Sequence, residues 1–359
     1  MAQFIKPTSR DQFHIAIICA LPREADAVML LYDEFWDEDG DPFGRAKGDT
    51  NTYYTGRIGK QNVVLAILPG MGTNNAAAVT AGLRSSYSNL KLALLVGICG
   101  GVPRFGDDDV FLGDVVISKA IVQYDFGRQY PDGLVVKNTI EDSLGRANKD
   151  LRGMLAAFET EFMKVRLLEK SANYLKQLQD AARKKRRRAR YQYPGVTHDT
   201  LFASDYIHQH RLEPCDTCGN MDKLGEICES ASRASCADLG CDEARLVKRE
   251  VFDVSYGGFN IFIGRIGSGN TVMRSAKDRD RIASLHNLVA FEMEGAGAWD
   301  EVPCLMVKGV CDYADSHKNK QWQDFAAATA ACVMKAILDR YVVAEGAQGA
   351  ATAQTNSEI

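Results

Sequence analysis

Short apolar segments that run into a turn and then into helical sequence constrain this chain more than any other feature. Four of them, rich in β-branched residues, lie in its first third, at residues 14–19, 63–68, 92–96 and 115–120. Continuous apolar runs of this length are typical of parallel strands that are buried on both faces. Helical patterns follow at residues 22–28 and 73–83, after turns that contain proline or glycine. Alternating strands, turns and helices predict an α/β fold.

A second group of strands is predicted after the middle of the chain, at residues 260–266, 288–292 and 304–310. A long alanine-rich helix at residues 322–342 should close the sheet. We interpret residues 1–345 as a single domain with an insertion at about residues 133–249. The polar, low-complexity tail at residues 346–359 is predicted to be disordered.

The insertion is predicted to be helical at residues 151–190 and to end in a basic run at residues 183–190. Such a run is compatible with a nucleic-acid or localisation signal, but cations also complement the dipole at a helix C-terminus. The whole chain carries 43 basic and 47 acidic residues, a formal net charge of −4. Because this balance gives no overall basic field, we predict a small-molecule partner and no nucleic-acid binding.

The apolar run at residues 15–21 is too short for a secretory signal or a bilayer span, and no other run reaches a spanning length. Ten cysteines among 359 residues do not form a disulfide-dense pattern. These features predict a cytoplasmic protein with reduced thiols and no membrane association.

Two glycine-rich turns follow predicted strands. Gly100 and Gly101 belong to the turn at residues 97–101, and Gly70 and Met71 precede the helix at residue 73. Without a Cβ, glycine lets backbone N–H groups face a phosphate or a sugar. Taken alone, each turn is also compatible with tight packing and no ligand.

Acidic residues stand at the ends of two later strands. Glu292 and Glu294 are two residues apart, so in an extended chain their carboxylates point to the same side. Two such charges need donors, and a vicinal diol supplies two. Asp312 ends the last predicted strand, at the edge where ligands of open α/β sheets collect, and a carboxyl partly withdrawn from water can act there as an acid. The alternatives are a solvent-facing strand end for the glutamates and a helix cap for Asp312.

Five motifs in this order resemble the purine nucleoside and uridine phosphorylase superfamily. They are residues 97–101, 113–117, 268–270, 292–296 and 311–315. The similarity is greatest to the branch that holds methylthioadenosine/adenosylhomocysteine nucleosidase and to nucleosidase-like domains of fungal proteins. It covers residues 14–342 except for the insertion, and it implies a mixed sheet, partly closed into a barrel, with helices on both sides.

The resemblance implies roles for individual residues. Asp312 corresponds to the acid at purine N7, Glu294 to the carboxylate that binds the ribose 2′ and 3′ hydroxyls, and Met293 to a thioether against the sugar. The other residues predicted to line the substrate are Glu292, Met273, Val272, Asn270, Gly70, Met71, Gly100, Gly101, Lys308, Asp125 and Phe126. An N-glycosidic bond breaks through a ribosyl cation while the purine leaves as an anion. An acid at N7 and a carboxylate near the sugar therefore stabilise the transition state.

Glu24 aligns with the general base of the nucleosidase branch, whereas the phosphorylases place a phosphate-binding arginine nearby. Because a carboxylate repels phosphate and can take a proton from water, Glu24 favours hydrolysis. We therefore predict a purine nucleoside N-ribohydrolase that needs no cofactor or catalytic metal. The alternatives are a phosphate-dependent purine nucleoside phosphorylase and a non-catalytic nucleoside-sensing module. The resemblance also implies a homo-oligomer, with a dimer expected.

Five cysteines crowd one part of the insertion, near His208 and His210. They are Cys215, Cys218, Cys228, Cys236 and Cys241. These residue types suit zinc, but a second Cys-x-x-Cys pair is missing from the sequence. A structural zinc at Cys215, Cys218, Cys236 and Cys241 is one hypothesis. Reduced thiols, which we prefer, and one or two disulfides are the others.

Overall fold

The structure is a computed structural model that describes residues 5–131, 133–137, 139, 141–218, 228–249 and 257–342. The predicted tail at residues 346–359 lies outside the described residues. The strands are β1 (Ile15–Cys19), β2 (Glu34–Phe35), β3 (Tyr53–Ile58), β4 (Gln61–Ile67), β5 (Leu92–Gly101), β6 (Arg104–Phe105), β7 (Asp108–Asp109), β8 (Val115–Gln123), β9 (Gly127–Tyr130), β10 (Gly133–Val136), β11 (Ile261–Ser268), β12 (Leu288–Glu292) and β13 (Cys304–Asp312). The helices are α1 (Pro22–Met29), α2 (Thr73–Ser86), α3 (Lys149–Phe158), α4 (Glu161–Lys184), α5 (Glu229–Arg233), α6 (Cys236–Leu239), α7 (Ala276–His286), α8 (Gly295–Ala298) and α9 (Gln323–Leu338).

One mixed sheet organises the fold, with strand order β12-β11-β8-β13-β5-β1-β4-β3-β2. β12 pairs with β5 as well as with β11, so β5, β13, β8, β11 and β12 close into a five-stranded barrel. β1 and β4 continue the sheet in parallel from β5, and β3 and β2 add antiparallel strands at its edge. The predicted α/β fold with a partly closed mixed sheet is confirmed.

Two predictions about local structure are only partly right. The strand at residues 115–120 was expected to be parallel, yet β8 pairs antiparallel with β13 and parallel only with β11. An apolar run indicates burial on both faces, and burial is the same for either strand direction. The single helix expected at residues 151–190 is two helices, because the Thr160 side chain accepts the Met163 N–H and thereby N-caps α4. The basic run begins in the last turn of α4 and is largely exposed.

α9 is the central helix of the core, and its residues from Phe325 to Leu338 are all buried. It contacts β5, β8 and β13 of the barrel as well as α1 and α4. Gly309 permits this close contact, because a Cβ there would lie 2.0 Å from the Ala326 carbonyl oxygen. Since α4 belongs to the insertion, the helical part of the insertion shares its core with the sheet. Among the described residues, no helix combines the length and apolarity needed to cross a membrane.

Candidate active site

Glu24 lies in the first turn of α1 and is 2% exposed. Its Oε2 accepts the backbone N–H groups of Ala20 and Leu21, both at 2.8 Å, and its Oε1 accepts that of Ile98, also at 2.8 Å. Gly97 makes room for this carboxylate, since a Cβ there would lie 2.3 Å from Oε1. Glu24 is therefore a buried acid that the ends of β1 and β5 hold in place, and it is not an exposed first-turn residue.

Glu292 and Glu294 are both buried, where β12 passes into α8. Glu292 accepts the backbone N–H groups of Glu294 and Gly295 at 2.9 and 3.0 Å, so its carboxylate fixes the start of α8. Glu294 accepts a hydrogen bond from Lys308 Nζ at 2.9 Å through its Oε2. The two carboxylates therefore have different hydrogen-bond donors: Glu292 accepts from backbone N–H groups two and three residues later, whereas Glu294 accepts from the side chain of Lys308 on β13.

Lys308 is the shared cation of this group. Its ammonium is 2% exposed and lies 2.9 Å from Glu294 Oε2 and 3.6 Å from Glu292 Oε2. Burial alone would lower the pKa of Lys308, but Glu294, Glu292 and Glu24 together raise it above its ordinary value. Lys308 therefore stays charged, and one positive charge faces three carboxyl groups.

The three carboxyl groups respond differently to their surroundings. Burial raises the pKa of Glu24 above its ordinary value, although Lys308 and the backbone donors oppose the shift. Burial likewise raises the pKa of Glu292, against the attraction of Lys308 and with the repulsion of Glu294. Burial would also raise the pKa of Glu294, but the charge and hydrogen bond of Lys308 outweigh it and the pKa is lowered. Glu294 is therefore the carboxylate paired with Lys308, whereas Glu24 and Glu292 bind a proton more readily than an ordinary glutamate does.

Asp312 ends β13 and is 9% exposed. Its Oδ1 accepts the Ala314 N–H at 2.8 Å and lies 3.1 Å from Lys318 Nζ, while the Cys311 thiol donates to Oδ2 at 3.3 Å. In the register of β13 with β5, Asp312 pairs with Gly100. Asp312 therefore caps a local turn, not a helix, and the Cys311 thiol serves it as a donor.

The two groups of acids, one around Lys308 and the other at Asp312, both lie next to β13, the strand that carries Lys308 and Asp312. In the β13–β5 register Lys308 is paired with Gly97, whose missing Cβ admits Glu24, and Asp312 is paired with Gly100. Both groups thus lie along the carboxyl-terminal half of β5. Among the described residues, no direct hydrogen bond joins Asp312 to Glu24 or to Glu294.

A cavity of about 710 Å³ lies past the ends of β8 and β11, and three of the predicted residues, Asp125, Val272 and Met273, line it. Glu24, Glu294 and Asp312 are not among its lining residues. The cavity and the acids therefore do not share lining residues.

Of the remaining predicted residues, Asn270 is fixed by hydrogen bonds, and the others differ in how far they are exposed. Asn270 bridges two elements, since its Oδ1 accepts the Thr73 N–H at 2.9 Å and its own N–H donates to Asp125 Oδ2 at 2.7 Å. Its side chain thus ties the start of α2 to the end of β11.

Met71 and Phe126 are 50% and 41% exposed, and Val272 is 46% exposed. Met293 is half-buried, while Gly100 and Gly101 are buried in β5 and Gly70 lies in the turn before α2.

Lys318, which the sequence patterns did not indicate, contacts Asp312 and also donates from Nζ to the Met273 carbonyl at 3.2 Å. It therefore links the acid to the segment that lines the cavity. A cation six residues after Asp312 was the available signal. Arg23, the neighbour of Glu24, pairs with Asp324 at 2.7 Å and is turned away from the acids.

Residues 14–201 match the family model described as the phosphorylase superfamily. The chain belongs to the phosphorylase superfamily. A nucleotide-binding leucine-rich repeat (NLR)-like protein from Hyaloscypha variabilis is 30% identical over an alignment of 334 residues, and the match covers 91% of this chain and 29% of that protein. The chain thus spans less than a third of the length of this relative.

Solved structures share the superfamily fold. A Helicobacter pylori MTAN mutant with 5′-methylthioadenosine in its active site superposes with a TM-score of 0.51 at 14% identity, covering 92% of this chain and 99% of that one. The futalosine hydrolase of the same organism gives a TM-score of 0.52 at 15% identity, with coverage of 92% and 99%. At this identity the likeness establishes the fold and leaves the chemistry to be argued from the site.

Proposed function

We propose that this chain is a purine nucleoside N-ribohydrolase, which releases the free base and ribose. The observation that carries the proposal is one buried ammonium, Lys308, which pairs with the buried Glu294 and Glu292 while the buried Glu24 also raises its pKa. Such a group has an excess of negative charge, which stabilises a ribosyl cation and repels a phosphate anion.

Glu24 is the proposed base for water. A carboxylate offers about four acceptor positions, and the three backbone N–H groups at Glu24 leave one of them for a water molecule. The raised pKa of Glu24 lets it hold the proton that it removes. The water oxygen forms a bond to C1′ as the bond from C1′ to the purine nitrogen breaks.

Glu294 and Asp312 act on the two halves of the substrate. Lys308 holds Oε2 of Glu294, and the Glu294 carboxylate is proposed to bind the ribose diol. Asp312 is proposed to supply the proton that N7 of the leaving purine receives, and the Cys311 thiol and the Ala314 N–H orient its carboxyl for that transfer. The Lys318 ammonium is the cation nearest to the charge left on Asp312.

The test is base release from a panel of purine nucleosides, with and without phosphate. Hydrolysis predicts release without phosphate and ribose as the sugar product, whereas ribose 1-phosphate would show a phosphorylase. Asp312→Asn should lower turnover by roughly 10²–10⁴-fold, the usual contribution of a general acid. Glu24→Gln should impair hydrolysis selectively. The matched control is Asp324→Asn, which removes the partner of Arg23 and should leave turnover unchanged.

A nucleoside-binding module without turnover is the second candidate, because the relative from Hyaloscypha variabilis is an NLR-like protein more than three times as long as the matched region. Saturable binding of nucleosides by purified protein, with no base released over hours, would favour that candidate over hydrolysis.

A further inference from the structure

The structure divides the cysteines of the insertion into two groups, each with its own histidine. His210, Cys215, Cys218 and Cys228 form the first group, in which all ligand atoms lie within 4.8 Å of one another. His208, Cys236 and Cys241 form the second. Sequence analysis had considered Cys215, Cys218, Cys236 and Cys241 together, and this grouping differs from the one in the structure. We propose that each group binds a zinc ion, and that the two ions hold the insertion against the candidate active site.

The first group has the dimensions of a tetrahedral zinc site. Zn–S and Zn–N bonds of ~2.3 and ~2.0 Å place two ligand sulfurs about 3.8 Å apart and a sulfur and a nitrogen about 3.6 Å apart. Cys215 Sγ lies 3.8 Å from Cys228 Sγ. His210 Nδ1 lies 3.4 Å from Cys218 Sγ and 3.8 Å from Cys228 Sγ. An ion therefore fits between these atoms with little movement, and three cysteines with one histidine make a closed, structural set of ligands.

The second group carries an independent sign of metal binding. His208 Nδ1 lies 3.7 Å from Cys236 Sγ and 3.4 Å from Cys241 Sγ. The other ring nitrogen, Nε2, lies 3.1 Å from the Ala234 carbonyl oxygen, to which it can only donate. That hydrogen bond leaves the lone pair on Nδ1, facing both sulfurs, as is usual for a metal-binding histidine. The described residues supply three of the four ligands of this ion.

Disulfides do not account for either group. All ten cysteines are free, and the separation of 3.8 Å between Cys215 and Cys228 far exceeds the ~2.05 Å of an S–S bond. Apolar packing is also scarce here: within residues 205–218 and 228–249, Ala231 and Leu239 are the buried hydrophobic residues. A segment with so small a core gains its stability from cross-links or metal ions.

The segment that carries the two groups, residues 208–218 and 228–241, packs against the chain just after Asp312. The His208 N–H donates to Ser316 Oγ at 3.1 Å, four residues after Asp312, and the ring of Phe202 stacks on that of His317 at 4.1 Å. His208, Cys218 and Cys228 also line the cavity of about 710 Å³ together with Val272 and Met273. The two ions would thus fix one wall of that cavity, and this part of the proposal rests on the proposed function.

Metal content of the full chain, produced with zinc in the medium and measured by mass spectrometry, tests the proposal without any need for turnover. We expect two zinc ions per chain, one after Cys215→Ser with Cys218→Ser, and one after Cys236→Ser with Cys241→Ser. The matched control is Cys304→Ala with Cys332→Ala, which removes two buried thiols outside both groups and should keep both ions. A wild-type chain with a single zinc ion, which Cys236→Ser with Cys241→Ser keeps and Cys215→Ser with Cys218→Ser loses, would overturn the second site and support the first.

A second measurement covers variants that fail to fold. Treatment of the wild-type chain with a thiol-blocking mercurial should release two zinc ions to a chromogenic chelator, and chelation should lower the urea midpoint of unfolding. Ten titratable thiols with no metal released, or disulfides found by mass spectrometry, would overturn the proposal. If the chain hydrolyses nucleosides, removal of zinc should raise KM. If the chain is shown to bind two ions but KM stays unchanged after their removal, the two zinc sites stand and only their link to the active site is refuted.

Discussion

Lys308→Met tests whether one ammonium holds the three buried carboxyls together. The Lys308 side chain is 2% exposed, and Glu292 and Glu294 beside it are 0% and 7% exposed, so water cannot replace the lost charge. Removal of one partner from a buried ion pair costs about 3–5 kcal/mol. We expect the free energy of unfolding to fall by that amount at pH 7.5.

Lys335→Met is the matched control. Lys335 is also a buried lysine, but its ion-pair partner, Asp33, is 35% exposed and can be hydrated after the substitution. The lysine also donates to the Leu31 carbonyl, and the loss of such hydrogen bonds costs roughly 1–3 kcal/mol. Lys335→Met should therefore destabilise the protein less than Lys308→Met.

The pH dependence separates electrostatics from packing. Without the ammonium, the pKa of Glu294 rises above the ordinary value of 4.5. The native variant then binds protons that the unfolded chain does not, so its deficit relative to the wild type grows as the pH rises and shrinks toward pH 5. Each unit of pKa shift corresponds to about 1.4 kcal/mol.

Urea unfolding curves of the wild type and both variants at pH 5.0, 6.5 and 8.0 measure this deficit. A loss for Lys308→Met no larger than that for Lys335→Met would refute the argument. A loss of unfolding free energy that is the same at every pH would also refute it, because the cost of a cavity in the core does not depend on pH.

Three further predictions follow from single contacts. If Glu24 is the base, kcat/KM for base release should rise with pH as Glu24 loses its proton, with a midpoint above the ordinary glutamate pKa of 4.5 because burial raises the pKa of Glu24. Glu24→Gln should abolish this rise, and a rise that persists in the variant would assign it to another group. Gly97→Ala should displace the Glu24 carboxylate and cut base release at least tenfold, because the new Cβ meets Oε1 at 2.3 Å, whereas Gly145→Ala, with no atom within 4 Å, should be neutral in the same assay. Asp114→Ala should lower the free energy of unfolding by roughly 2–6 kcal/mol in urea titrations, as two buried backbone N–H groups lose their acceptor at about 1–3 kcal/mol each; an unchanged midpoint would contradict this.

Local patterns in the sequence located much of the fold. The strand predicted at residues 288–292 is β12 with the same bounds, and Pro22 begins α1 as the turn before it suggested. These succeed because a run of apolar side chains must be buried wherever it lies, and proline at a helix start fits its fixed φ. Acids at strand ends, such as Glu294 and Asp312, were also visible, because the residue that follows an apolar run stands at a sheet edge.

What the sequence left open depends on which segments meet. Long-range pairing sets the direction of β8, the closing contact of β12 with β5 and the central position of Lys308. A local sequence pattern contains no information about such pairing. The cysteines show the same limit: spacing along the chain suggested one group, whereas folding assigns Cys228 to His210 and Cys241 to His208. Sequence determined which side chains are buried or stand at edges, and only the tertiary structure decided which of them meet, because a charge or a ligand acts through distance in space and not along the chain.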